Sequence, residues 1–397
     1  MKKYIIPILS LILFWGCNNP EKAIYVEITN NSSIDRENEI VEIAWNDISG
    51  LLNLSDTTLV ITSLEGTQIP YQLITEGKDE IQRLIFPATV KAGKTAKYAL
   101  TQGIPEKFES KTYARYIPER KDDLAWENDK IAFRVYGPAL IETDGPSNGI
   151  DTWVKSTNKL IIDKWYKEDL SKLSSYHVDS GEGVDAYKVG RTLGAGGMAP
   201  FVNDTLWLAE NYTTQEILDN GPLRTTIRLT YKPFVVSGDS AVSEVKIISL
   251  DAGSYFNKIT ETYSGLKNTV PVAAGVVLKT AEAIPASNAE EANTAFTPLL
   301  QPEKGFITYA EVADKAAPEY DNGFIYTAVV FPNNLKEAKT AWQHALAIVE
   351  YQPESDLVYY NGVGWSKAGF ASEKAWQDYV AGFAERIRQP LTVAIQK

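Results

Sequence analysis

The sequence predicts a mainly β protein with few helices: a small N-terminal β-sandwich followed by a large two-layer sandwich. Three observations carry this. Apolar and polar residues alternate with period two over many short segments bounded by Gly, Asn, Asp and Ser, the pattern of antiparallel strands with one buried face. The regular succession of strand and helix that a parallel sheet needs is absent. Helical periodicity is confined to three stretches. With 397 residues, 44% hydrophobic and 23% charged, the chain has enough apolar material for more than one core.

Taken in order, residues 1–17, "MKKYIIPILSLILFWGC", combine a basic start, a short apolar run and a small residue before cysteine. This reads as a secretory signal, too short for a comfortable membrane span. Cys17 is the only cysteine, so no disulfide can form within the chain, and its place after Gly16 matches a bacterial lipobox. Lipid attachment at Cys17 is the expectation, with the protein exported and anchored facing the periplasm; cell-surface display is disfavoured because no acidic run follows the cysteine. Membrane contact would then be through that lipid alone.

Residues 18–105 form the first expected domain. "IYVEITN", "NEIVEIAW", "TTLVITS", "QRLIFPATV" and "KYALTQ" alternate as strands between turn clusters. The second domain, 106–397, holds longer strand candidates such as "KIAFRVYGPAL", "LRTTIRLTYKPFVV", "SEVKIISLDAG", "VPVAAGVVLKT" and "FIYTAVVF". Helices are expected in "DTWVKSTNKLIIDKWYKEDL", in "NNLKEAKTAWQHALAIVEY" and, most clearly, in "SEKAWQDYVAGFAERIRQP". In the last, Ser372 caps, Glu373 suits the N-terminal dipole, and Trp376, Tyr379, Val380, Phe383 and Ile387 form one apolar stripe before Pro390.

A formal net charge of −12 argues against nucleic acid, whose backbone is bound through many Lys and Arg. An anionic ligand would have to be drawn by a local cluster of cations against the general field.

The densest collection of reactive groups is "SSYHVDSGEGVDAYKVGRTLGAGG", residues 174–197, which holds His177, one of only two histidines. Read as a strand and turn, it places His177, Asp179 and Gly181 on one face. A satisfied structural histidine and a functional one are both open. The spacing of His177, Asp179, Glu182 and Asp185 matches no established metal motif, so no cofactor is expected and a divalent metal is not favoured. "GRTLGAGG" lacks the lysine and helix start of a phosphate loop. No G-x-S-x-G elbow supports serine catalysis, and no particular pair among 51 acidic residues marks a glycosidase. "YYNGVGWSKAGF", residues 359–370, offers Trp365 and Lys367 either to a sugar face or to the core. Arg115, Arg120 and Arg134 could clamp a carboxylate or sulfate, or form ordinary ion pairs.

"RYIPERKDDLAWENDKIAFRVYGPAL", the 174–197 segment and "YYNGVGWSKAGF" together resemble a family of exported Bacteroidota proteins from polysaccharide-utilisation loci, originally of unknown function, often found beside unsaturated-uronyl hydrolases. That family includes the ulvan oligosaccharide dehydratase. The resemblance runs from about residue 24 to the C-terminus. It implies a galactose-mutarotase-like supersandwich for the second domain. It also implies a hydro-lyase reaction: loss of water across C4 and C5 of a non-reducing-end glucuronic or iduronic acid linked to sulfated rhamnose. The partner is then an anionic oligosaccharide, and the product feeds unsaturated-uronyl hydrolases.

Such chemistry needs a carboxylate neutraliser, a base for the C5 proton and an acid for the C4 hydroxyl. On this sequence Lys188 and Arg191 suit the first and His177 and Tyr187 the proton transfers. Asp179 or Glu182 would orient His177, and Arg115, Arg134, Trp365 and Lys367 would bind sugar. A polysaccharide lyase uses the same elimination with a glycosyl leaving group, and a non-catalytic carbohydrate-binding lipoprotein would use the same aromatics and cations.

Overall fold

The computed structural model describes residues 23–52, 58–279 and 297–396. Cys17 and the signal segment lie outside the described residues.

Two small sheets form the N-terminal sandwich. One pairs Thr392–Gln396, Ile24–Thr29, Thr95–Gln102 and Leu59–Ser63; the other pairs Arg36–Ala44, Arg83–Val90 and Gln72–Ile74, all antiparallel. Alternate residues of both sheets, including Val26, Ile28, Val41, Ile43, Leu84, Phe86 and Leu100, close one core. The domain boundary near residue 106 falls between Gln102 and the next strand at Thr112. The assignment of everything beyond it to the second domain needs correction. Strand Thr392–Gln396 returns to the first sheet and pairs with Ile24–Thr29 from Tyr25↔Gln396 to Thr29↔Thr392. Its period-two apolar side chains, Val393 and Ile395, need that sheet to cover them.

The second domain is a layered antiparallel sandwich. A nine-stranded sheet runs, along its main path, from Thr214–Asn220 through Arg224–Thr230, Asp239–Asp251, Phe256–Ser264, Leu357–Trp365, Phe324–Val330 and Phe306–Val312 to Leu299–Gln301. Its inner face packs on two five-stranded sheets. One contains Ala195–Val202, Val270–Val277 and His344–Tyr351; the other contains Thr112–Ile117, Asp123–Asn128, Ile131–Val135, Asp151–Lys155 and Gly183–Val184. Their apolar faces merge in one core with Trp126, Phe133, Ile248, Ile259, Val276 and Val363. A relay of amides crosses it. Trp126 Nε1 donates to Asn257 Oδ1 at 2.8 Å, Asn257 Nδ2 to Asn361 Oδ1 at 3.1 Å, and Asn361 Nδ2 to the Ala195 carbonyl at 2.8 Å. The polar pairs are thus satisfied inside apolar surroundings.

The C-terminal helix forms as expected over Glu373–Arg388, with Ser372 Oγ accepting from the Ala375 N–H at 3.2 Å. Trp376 and Val380 bury its stripe on Phe256, Tyr326 and Ala328, on the outer face of the nine-stranded sheet.

The other two helical expectations are corrected. Residues 151–170 divide into strand Asp151–Lys155 and helix Ile162–Leu170. The stretch 333–351 is a hairpin of Glu337–Ala341 and His344–Tyr351, turning at Trp342 and Gln343, both with positive φ. Cross-strand pairing overrides a helical pattern there, and the turn has none of the Gly or Asn that would announce it. Residues 176–180, read as a strand, are an irregular turn.

Candidate active site

The sheet Thr112–Val184 has two unlike faces. Leu124, Trp126, Ile131, Phe133 and Val154 point into the main core. Across the other face Arg115, Ala125, Arg134 and Asp151 fall in one register row. Helix Ile162–Leu170 covers that face through Ile162, Trp165 and Tyr166, packed on Trp153 and Tyr176. Its start is held by Glu127, whose Oε1 accepts the N–H groups of Ile161 at 2.7 Å and Ile162 at 2.8 Å. Burial pushes the Glu127 carboxyl up, and Lys155, at 2.6 Å, opposes it.

At the centre sits Arg134, its side chain 3% exposed. Its guanidinium donates to Asp151 from Nε at 2.8 Å and to Asp185 from Nη2 at 2.8 Å, with Asp123 at 3.9 Å. Tyr136 and Trp153 lie against it, each with the ring centroid 5.0 Å away. Tyr136 Oη also donates to Asp151 at 2.9 Å. Desolvation pushes the Asp185 carboxyl up to about 6, with nearby Asp151 adding to it and Arg134 and His177 opposing.

Beside this buried group His177 is open to solvent, its side chain 53% exposed. Tyr176, stacked on Trp153 with ring centroids at 5.0 Å, anchors the turn that carries it. The Asp185 N–H donates to the Tyr176 carbonyl at 2.8 Å. His177 Nδ1 lies 3.1 Å from the Asp185 carbonyl and 3.6 Å from its carboxylate. A carbonyl only accepts, so Nδ1 carries the hydrogen and a neutral ring keeps its lone pair on Nε2.

The chain after Asp185 leads to a second polar group. The Asp314 N–H donates to the Ala186 carbonyl at 2.8 Å. Lys188, 82% exposed at its side chain, places Nζ 3.5 Å from Asp314. Lys279 meets Asp314 at 2.6 Å and Glu311 at 3.1 Å. Glu311 is fully buried with neither oxygen in a well-aligned hydrogen bond, and desolvation pushes its carboxyl up to about 7. Arg191 is exposed on the same segment.

Sequence expectation and geometry agree on where the polar groups gather and differ on several roles. The carboxylate beside His177 is Asp185, eight residues on. Asp179 instead caps its own turn, accepting from Gly181 at 2.8 Å and Gly183 at 3.2 Å. Glu182 pairs with Lys164 at 2.7 Å. Tyr187 is 5% exposed in the main core, with a buried hydroxyl that has no hydrogen-bond partner among the described residues, and burial holds its proton on. It is out of reach of a sugar.

Arg134 is saturated by its own carboxylates and cannot clamp a substrate. Arg115 is bound to Asp163 at 3.0 Å and to Glu119. Trp365 is 2% exposed in the core and donates to the Asn322 carbonyl at 2.6 Å, while Lys367 is exposed and reaches the Asp321 carbonyl. The glycines of the loop permit close approaches within the protein. A Cβ on Gly194 (φ 61°) would meet the Ile150 carbonyl at 2.3 Å, and one on Gly196 would meet Asn361 at 2.4 Å. The other histidine, His344, is buried and structural. Its Nε2 accepts the Leu193 N–H at 3.0 Å, and burial lowers its pKa.

Asp151, Lys279, Glu311 and Asp314 escaped the sequence reading, and Asp185 entered it only in the spacing weighed for a metal. Their proximity depends on strand register and on a contact between distant segments, so no local spacing announces them. Among the described residues no group of three or more His, Cys, Asp or Glu side chains is arranged to hold a metal ion.

The antiparallel architecture is a galactose-mutarotase-like β-sandwich, a fold it shares with two solved structures. An α-mannosidase from Enterococcus faecalis V583 superposes with a TM-score of 0.51 at 11% identity, over 95% of this chain and 46% of that one. A glycosyl hydrolase family 38 protein, also from Enterococcus faecalis, gives 0.50 at 13% identity, over 96% and 48%. The chain thus spans about half the length of these structures, and what it shares with them is the fold. By sequence, residues 28–393 match a family described as a domain of unknown function (DUF4861), and the chain belongs to that family. A relative in Formosa agariphila, "Uncharacterized protein P7", is 28% identical over 403 residues, covering 94% of this chain and 93% of its own.

Proposed function

We propose that the protein is a hydro-lyase of uronic-acid-containing oligosaccharides. It would eliminate water across C4 and C5 of a terminal glucuronic or iduronic acid, as in fragments of ulvan, leaving a 4,5-unsaturated uronic acid. The observation that carries this reading is the half-exposed His177 imidazole whose Nδ1 is held beside Asp185. This is the arrangement of a general base.

The C5 proton lies α to a carboxylate and is only weakly acidic. Arg191 binds that carboxylate and offsets its charge. His177 Nε2 takes the proton, the C5–H electron pair becomes the C4=C5 bond, and the C4–O bond breaks. Lys188, whose ammonium lies beside Asp314, gives the departing hydroxyl its proton. His177 then returns its proton to solvent and Lys188 regains one. No metal or cofactor enters these steps. In the same reading the protein is exported, tethered by lipid on Cys17 and facing the periplasm, and it supplies unsaturated-uronyl hydrolases with substrate.

The test is incubation of the purified protein with a short ulvan oligosaccharide ending in saturated uronic acid. The expected result is rising ultraviolet absorbance of an enoate and a mass lower by one water, with the chain uncut. Absence of product across pH and with added divalent ions overturns the proposal. Two shorter sugars, one unsaturated, identify a polysaccharide lyase; binding with unchanged sugar identifies a carbohydrate-binding lipoprotein.

A further inference from the structure

Between the N-terminal sandwich and the outer face of the nine-stranded sheet lies a cleft of about 1250 Å³. It is larger than the roughly 300–1,000 Å³ of a usual small-molecule pocket. It meets the sheet that carries Arg134 only at Lys111, Asp129 and Lys130, beside strand ends, and Arg134, His177 and Asp185 are not in its lining. Contacts between the domains brace it. Arg224, in its lining, joins Glu42 of the first domain at 2.6 Å to Asp251 of the second at 2.5 Å, and Gln72 accepts the Leu223 and Arg224 N–H groups at 2.9 and 2.8 Å. Arg36 donates to the Gln389 carbonyl at 2.7 Å, next to the strand shared with the first sheet.

Its lining combines two chemistries. Tyr360, Tyr379 and Phe383 are in the lining and half-buried, with Tyr379 and Phe383 stacked on Phe256. Lys111 and Lys258 are exposed and form no ion pair among the described residues. The Arg386 guanidinium likewise has no carboxylate partner and lies 5.5 Å from the ring centroids of both Tyr379 and Phe383. Of the acidic residues of the lining, Glu39 pairs with Arg36, Asp129 with Lys130 and Glu37 with Lys91 at 3.8 Å, Glu42 and Asp251 share Arg224, and Glu65 forms no ion pair among the described residues. On a chain of net charge −12 this sets three cations that form no ion pair among the described residues beside aromatic side chains. Ring faces take the apolar faces of pyranoses, and the cations take carboxylate or sulfate.

We propose that this interdomain cleft is a second binding site, separate from the His177 pair, for an anionic oligosaccharide of several sugar units. The inference rests on the hydro-lyase reading only in the choice of probe. Calorimetry with a sulfated ulvan tetrasaccharide already carrying the 4,5-unsaturated end measures it, because that probe cannot be dehydrated again and binding is read without turnover. Repeating the titration in the His177→Ala protein separates the two sites.

The expected result is binding that survives His177→Ala and weakens about tenfold in Lys258→Ala with Arg386→Ala, a loss of the size a pair of charge-assisted contacts gives. Binding should fall with added salt. Phe383→Ala, confirmed folded by circular dichroism, is expected to weaken it as well. Equal affinity in the parent and the cation variants overturns the proposal, as does equal binding of an uncharged tetrasaccharide. Loss of all binding in His177→Ala assigns the ligand to the other site and also overturns it. None of these outcomes bears on whether a saturated end is dehydrated.

Discussion

Two regions of the second domain bury charge in nearly the same way and end differently. In the sheet Thr112–Val184, Arg134 gathers Asp151, Asp185 and Asp123 under stacked aromatics, and the group opens to solvent at His177. In the nine-stranded sheet, Lys246 lies 3.0 Å from Glu244 and 3.8 Å from Glu261, walled by Tyr231, Tyr263 and Tyr359. Those three charged residues are at most 1% exposed. Desolvation, opposed by Lys246 and reinforced by the neighbouring Glu244, pushes the Glu261 carboxyl up. The sealed nest sets the architecture; the open one has a titratable group poised at the surface. Exposure of one ring, more than the number of buried ions, separates a candidate site from a structural element.

The comparison can be broken at several points. Removing the central cation should do similar damage in both places. Arg134→Ala and Lys246→Met are each expected to cost about 3–5 kcal/mol in denaturant unfolding, because carboxylates are left buried without compensation. A cost below about 1 kcal/mol at either site would mean that its acids are already neutral.

His177→Ala should separate the regions. Turnover is expected to fall by about 10²–10⁴-fold, with stability within about 0.5 kcal/mol, as for an exposed side chain. Retained turnover removes His177 from the chemistry.

The raised carboxyls give a pH test. Asp185 moves from 3.8 to about 6 and Glu311 from 4.5 to about 7, so the folded state holds these protons more tightly than the unfolded chain does. The stabilisation this brings is fully present below the unfolded values and is lost as pH rises through about 6 and about 7. Melting temperature should therefore decline over that window, and Glu311→Gln should flatten its upper part. An unchanged slope in the variant would place the titration elsewhere. The smallest effect expected is Ser372→Ala, about 1 kcal/mol from loss of the helix cap, read by thermal unfolding.

How much of this the sequence discloses follows from the range of the interactions. The alternation of Ile24–Thr29 or Asp239–Asp251 is local and visible. The cap at Ser372 and the stripe from Trp376 to Ile387 are equally so. The hairpin around Trp342 and Gln343 hides because ordinary residues take its positive-φ turn positions. His177 and Lys188 stand out by type, whereas Asp185 becomes the partner of His177 only because the turn folds back on itself. Glu311 and Asp314 reach the segment from more than a hundred residues away. Trp365 misleads for the opposite reason: its neighbours suggest a loop, and the sheet takes it into the core.

The strand Thr392–Gln396 carries a consequence for how the molecule is made. It completes the sheet that contains Ile24–Thr29, so the N-terminal sandwich keeps an open strand edge until Thr392–Gln396 has been synthesised. The sandwich whose strands are made first thus closes only after the strands of the second domain have been made, and removal of Thr392–Gln396 would be felt at Ile24–Thr29.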